Sequence, residues 1–131
     1  MKIKKLLFAS ALLFSAYNAS AQTQVIAHRG FWKTEGSAQN SIAALLKADS
    51  IGCYGSEFDV WLAADDQLVV NHDPTFKGKR MENSPSTALT AIKLDNGESL
   101  PTLAKYLKAA QPLHTRLILE LKAHSTPLRE T

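Results

Sequence analysis

Glu57 and Asp59 stand two residues apart in the apolar run Glu57-Phe58-Asp59-Val60-Trp61-Leu62. Side chains alternate across a strand, so both carboxylates share one face and repel each other unless a cation or basic group joins them. Glu120, in Leu117-Ile118-Leu119-Glu120-Leu121-Lys122, is a third acid in an apolar run. An all-oxygen ligand set suits Mg2+ or Ca2+ better than zinc. Salt bridges to Lys122 or Arg29 would also relieve the repulsion, but three carboxylates together favour a divalent cation.

Two histidines add proton chemistry. His28 follows Val25-Ile26-Ala27 and precedes Arg29-Gly30, and His72 follows Leu68-Val69-Val70-Asn71 and precedes Asp73-Pro74. Imidazole titrates near neutrality, so this pair is the candidate general acid and base. Arg29 offers a planar donor fork for phosphate or carboxylate, and Lys122 adds a second cationic group. Gly30 would let the backbone turn closely beside an anion. A divalent cation with Arg, Lys and two His suits phosphodiester cleavage. His114 and His124 lack such neighbours and read as surface residues. The lone Cys53 reads as a small buried apolar residue rather than a nucleophile.

The elements that position these groups follow from periodicity and punctuation. The expected layout is strand, helix, strand, strand, helix, strand. Strands are expected at about 24–28, 55–62, 68–71 and 116–122, with the middle two forming a hairpin across Ala64-Asp65-Asp66-Gln67. A helix capped by Asn40 or Ser41 runs to about Ile51 and stops at Gly52. A second, capped by Thr102, carries the stripe Leu103, Tyr106, Leu107, Ala110, with Tyr106 as a core residue. A short helix is expected over 87–94. Strand–helix alternation argues for a parallel α/β sheet, with one apolar face under helices and one face bearing chemistry. A barrel interior opening at the C-terminal strand ends fits this pattern.

Residues 1–21 read as a signal peptide. Lys2, Lys4 and Lys5 precede a short apolar core, and Ala19-Ser20-Ala21 is a small-x-small cleavage site. The whole chain has 15 Lys+Arg and 12 Asp+Glu. Removing three signal lysines leaves the remainder balanced, so charge gives no argument for nucleic-acid or membrane-surface binding. Export is expected, to the periplasm in a Gram-negative source and otherwise by secretion, with no membrane anchor after cleavage. Residues 22–131 are expected to form one domain.

The segments His28-Arg29-Gly30, Gln39-Asn40-Ser41, Glu57-Phe58-Asp59-Val60, Val69-Val70-Asn71-His72-Asp73, Leu100-Pro101-Thr102-Leu103 and Glu120-Leu121-Lys122 resemble, in order and spacing, the glycerophosphodiester phosphodiesterase family. The resemblance spans Val25 to Lys122. It implies a TIM barrel that hydrolyses a glycerophosphodiester to glycerol 3-phosphate and an alcohol with a bound divalent cation. By matching positions it implies Glu57, Asp59 and Glu120 as metal ligands, His28 and His72 as the acid/base pair, and Arg29 and Lys122 on the phosphate. Gln39 departs from the family's usual Glu and removes one negative charge. A TIM barrel also needs about 250 residues and eight strands. The chain is therefore expected to hold roughly the first three βα units, the N-terminal part of a barrel, and to be inactive alone. Two alternatives remain: a non-catalytic module binding anionic glycerophospholipid headgroups, and a related phospholipase acting on intact lipid.

Overall fold

A computed structural model describes residues 22–125. The proposed signal segment lies outside the described residues. The expected strands and the two main helices are present. Strand β1 is Ile26–Ala27, helix α1 Ile42–Ser50, strand β2 Gly55–Leu62 and strand β3 Leu68–Val70. Strand β4 is Thr75–Phe76, β5 is Lys79–Arg80, and a 3-10 turn follows at Met81–Asn83. Helix α2 is Ser86–Thr90, α3 is Leu103–Ala110, and strand β6 is Arg116–Leu121.

Strand β2 organises the sheet. Strands β1 and β6 both run parallel to it, pairing Ile26 and Arg116 with opposite edges of Gly55. Strand β3 returns antiparallel, Val70 against Val60, beyond the end of β1. The parallel register places Glu120 level with Asp59, and Ile118 level with Glu57. The sheet therefore brings Glu120, which the sequence assigns to a separate strand, level with the acids of β2.

Capping and termination follow the local chemistry. The Ser41 hydroxyl accepts the Ala44 N–H at 3.0 Å and starts α1. Gly52, at φ +74°, ends it. Asp49 interrupts the apolar face of α1 because its carboxylate accepts the His114 and Thr115 N–H groups, both at 2.8 Å. It thereby fixes the entry to β6. Thr102 caps α3 by accepting from Lys105 N–H at 3.1 Å.

Each face of β2 has its own core. Phe58 and Val60 pack with Leu45, Val70 and Tyr106 beneath α1 and α3. Tyr106 is fully buried, with its ring centroid 4.6 Å from that of Phe58. Each large side chain buried here contributes about 1.5–3 kcal/mol. On the other face Trp61 packs with Val69, Met81, Leu89, Ile92 and Leu100, closing the sheet beyond the acids.

Four features differ from expectation. β1 pairs over only two residues, because beyond Ala27 the chain turns through Arg29 and Gly30, at φ +60° and +77°. The helix expected over 87–94 spans only Ser86–Thr90, and residues 92–100 fold back through the Lys93–Ser99 bridge. The β4–β5 hairpin lies in a segment whose polar composition concealed it. Gly30 does make a close approach, but to α1: a Cβ there would lie 2.6 Å from Ala44 Cβ and 2.8 Å from its backbone carbon. Glycine is required both for the turn and for that contact.

Strand β6 pairs only with β2 among the described residues. Its outward leucines are unburied, with Leu119 at 47 % and Leu121 at 69 % exposure. Such a row on an open edge favours association over a stable monomer. The isolated 131-residue chain is therefore expected to bind ANS and to melt without a cooperative transition. A sharp thermal transition with native-like near-UV dichroism would contradict this.

Candidate active site

The site lies on the face of β2 that carries Glu57 and Asp59, along the middle of β2 and at the C-terminal ends of β1 and β6. Alternation along β2 aims both acids to this side, and the β6 register brings Glu120 beside them. Oxygens of Glu57, Asp59 and Glu120 all lie within 4.8 Å of one another. Asp59 is fully buried, Glu57 half-buried and Glu120 exposed at the rim.

Asp59 is held by a reciprocal pair with Asn40. Asn40 Nδ2–H donates to Asp59 Oδ2 at 2.9 Å, and the Asp59 N–H donates to Asn40 Oδ1 at 3.2 Å. Asn40 adopts φ +59°, a left-handed geometry that asparagine tolerates better than most residues. In the sequence Asn40 stands as a possible helix cap and within the segment Gln39-Asn40-Ser41, and neither setting gives it a contact with Asp59.

Lys122 Nζ lies 2.8 Å from Asp59 Oδ1 and 2.7 Å from Glu120 Oε1. Burial works against its charge, but bonds to Asp59 and Glu120 outweigh that and hold its pKa above the usual lysine value. The ammonium thus stays protonated throughout the neutral range. One ammonium among three carboxylates leaves an excess of negative charge. Glu57 Oε1 is also buried without a hydrogen-bond partner. Both observations fit the residues to a hard divalent cation ligated by oxygen.

Arg29 ties the histidines to the acids. Its backbone N–H donates to Glu57 Oε2 at 2.8 Å, a direction set by its own left-handed φ of +60°. Its guanidinium donates to Gln39 Oε1 at 2.6 Å and meets His72 Nε2 at 2.8 Å. The other ring nitrogen, Nδ1, lies 2.7 Å from Asp73 Oδ1. Arginine only donates and an ionised carboxylate only accepts, so this geometry calls for a neutral His72 with its proton on Nδ1 and a lone pair on Nε2. His28 sits 68 % exposed on the far side, with Nε2 3.9 Å from Glu57 Oε2.

All seven residues singled out from the sequence thus gather at one end of the sheet. Gln39, which stands in place of an acid, serves as an acceptor for Arg29. One expectation fails. His124 is not a surface residue: its side chain is 13 % exposed, 3.5 Å from Glu82 Oε2, and its ring stands 6.3 Å from the Trp61 ring. Its spacing of two from Lys122 and four from Glu120 was the available signal, because alternation puts all three on the same face.

A cleft of about 270 Å³ opens beside His72, lined by Trp32, Gln39, Asn71, Phe76 and Asp95 among others. It combines apolar ring surface with amide groups, next to a histidine able to move a proton. No described helix is long and apolar enough to cross a membrane.

Comparison with known proteins shows what the chain is similar to. No family model matches the chain. A glycerophosphodiester phosphodiesterase of Caldanaerobacter subterraneus subsp. tengcongensis is 48 % identical over 54 residues, covering 41 % of this chain and 21 % of that protein. The crystal structure of a glycerophosphodiester phosphodiesterase from Parabacteroides distasonis superposes with a TM-score of 0.77 at 58 % identity, over 79 % of this chain and 44 % of its own. An Oleispira antarctica phosphodiesterase, solved in complex with the product sn-glycerol-3-phosphate, superposes at 0.65 with 31 % identity, over 79 % of this chain and 46 % of its own. The chain is thus similar to glycerophosphodiester phosphodiesterases along most of its own length, and spans less than half the length of these relatives.

Proposed function

We propose that this chain carries the catalytic face of an exported, metal-dependent glycerophosphodiester phosphodiesterase, which cleaves glycerophosphodiesters to glycerol 3-phosphate and an alcohol. The observation that carries the reading is the gathering of Glu57, Asp59 and Glu120 on one sheet face, with His28 and His72 joined to them through Arg29 and Glu57. On this reading β1, β2 and β6 are the first three parallel strands of a TIM barrel. Residues 1–21 direct export, to the periplasm in a Gram-negative source. The product bound by the Oleispira relative supports a small glycerophosphodiester as substrate.

Glu57, Asp59 and Glu120 would hold the cation, Ca2+ or Mg2+, which supplies Lewis-acid stabilisation of charge on the phosphoryl oxygens. Lys122 and Arg29 grip the phosphate beside it. The substrate's own glycerol hydroxyl attacks phosphorus while a histidine takes its proton. The phosphorus–oxygen bond to the leaving alcohol breaks, and the other histidine protonates that oxygen. Water then opens the cyclic phosphodiester with the two histidines in reversed roles, giving glycerol 3-phosphate. The His72 tautomer suits the proton-accepting role once Arg29, which donates to Nε2 at 2.8 Å here, turns to the substrate phosphate and frees that lone pair. His28, open to solvent and facing Glu57, suits the donor role. The cleft beside His72 is where the leaving alcohol would lie.

The test is release of glycerol 3-phosphate from glycerophosphocholine by the full-length gene product. Turnover is expected to be abolished by EDTA and restored by excess Ca2+ or Mg2+. Binding of the diester without any turnover would favour a binding module instead.

A further inference from the structure

Glu82 lies outside the groups assigned to the chemistry, yet it is among the most buried charges described. Its side chain is 3 % exposed in the 3-10 turn after β5. One oxygen accepts from Arg80 Nε at 2.7 Å and from the Ser125 hydroxyl. The other accepts the Ser125 N–H at 2.9 Å and lies 3.5 Å from His124 Nδ1. Arg80 also donates to Ser125 Oγ at 2.9 Å. Two groups of one residue, backbone and side chain, are thus tied to a buried carboxylate 43 positions away in sequence.

The place of this tie gives it meaning. Ser125 follows β6 by four residues, just past the end of a strand that is open on its far side. That strand pairs on one edge only among the described residues, and its leucine face is exposed. Its last link to β2 is the Lys122 N–H to Val60 carbonyl bond at 2.9 Å. Beyond that bond, the contacts of His124 and Ser125 with Glu82, Arg80 and Trp61 hold the chain. Trp61 in turn donates its indole N–H to the His72 carbonyl at 3.3 Å.

We infer that Glu82 is a positioning residue for the active site: it pins the segment leaving β6 and so fixes Glu120 and Lys122 against Asp59. This rests on the proposed roles of Glu120 and Lys122. The bonds from Ser125 and the charge of Arg80 hold the Glu82 carboxyl down at about 2, so it stays ionised across the working range. A frayed strand end would leave Asp59 in place and let the two residues that complete the site move. Support around ligands that are not themselves replaced is worth about 10–100-fold in metal affinity or activity.

The test is Glu82→Gln in the full-length gene product, read two ways. Hydrogen exchange followed by mass spectrometry is expected to rise in peptides covering 116–125 and to stay unchanged in those covering 55–70. Calorimetric titration with Ca2+ and Mg2+ is expected to show roughly tenfold weaker binding. Ser125→Ala should weaken binding in the same direction and add little when combined with Glu82→Gln, because both act through one tie. Ser125→Thr, which keeps the hydroxyl and the N–H, should stay near wild type. Unchanged exchange in 116–125 overturns the pin. Increased exchange throughout the protein, or a local increase with unaltered cation binding, overturns the positioning role and leaves Glu82 as a fold contact. A wild type that binds no cation overturns the metal reading by itself, while the pin still stands or falls on the exchange pattern.

Discussion

Replacing His72 with alanine is expected to lower kcat for glycerophosphodiester hydrolysis by about 10²–10⁴-fold, the usual worth of a positioned proton-transfer group. The expectation rests on a tautomer that the neighbours dictate. Arg29 approaches Nε2 with a guanidinium that can only donate, and Asp73 faces Nδ1 with a carboxylate that can only accept. The ring therefore keeps its lone pair on Nε2, where Arg29 occupies it until the guanidinium turns to the phosphate. Alanine removes that acceptor and leaves Arg29 with Gln39 as its remaining side-chain partner. Asp73→Asn should cost less, roughly tenfold. The amide carbonyl can still accept from Nδ1–H, and Asp73 is exposed enough for solvent to screen the lost charge. Cation binding should be unaffected in both variants, because neither residue touches the three acids. Steady-state release of glycerol 3-phosphate with a parallel cation titration separates these effects. A His72→Ala enzyme within twofold of wild type would remove His72 from the chemistry.

What the sequence made legible was the part governed by period and composition. Alternation through Glu57-Phe58-Asp59-Val60 assigned the acids to one face and the apolar residues to the other. The structure keeps that division, with Phe58 and Val60 under helices and Asp59 against Asn40. The cap at Thr102 is readable, and that of α1 narrows to Asn40 or Ser41, of which Ser41 is the one whose hydroxyl meets a free N–H three residues on. Register was not readable, since no local rule says which residue of β6 lies beside Asp59. The β4–β5 hairpin escaped notice for a related reason. Its turn is Lys77-Gly78, both at positive φ, flanked by Thr75-Phe76 and Lys79-Arg80 with no alternating apolar pattern to flag it. Missing the hairpin concealed Glu82, whose partner Ser125 is remote in sequence, and left His124 looking like a surface residue.

Asp59→Asn is expected to weaken cation binding by about 100-fold or more, beyond what loss of a supporting contact costs, and to abolish turnover at ordinary cation concentrations. The substitution is nearly isosteric. The amide carbonyl can still accept from Asn40 Nδ2–H, and the backbone N–H to Asn40 Oδ1 is untouched. What changes is charge, at a fully buried position 2.8 Å from Lys122. If the three acids existed only to pair with Lys122, the main result would be lower stability, because removing one partner of a buried pair costs about 3–5 kcal/mol. The charge count argues against that limited role. Arg29 offers Glu57 only its backbone N–H and points its guanidinium at Gln39 and His72, so even with a protonated His28 3.9 Å from Glu57, Lys122 leaves the three carboxylates in excess. Lys122→Met sharpens the contrast. A site built for a cation should keep or strengthen its cation affinity when the competing ammonium is removed, while KM for the diester rises. A site built only for salt bridging should lose stability and show no cation binding in either form. Calorimetry with Ca2+ and Mg2+ on both variants, beside their thermal transitions, decides between the two, and retained affinity in Asp59→Asn would count against the cation site.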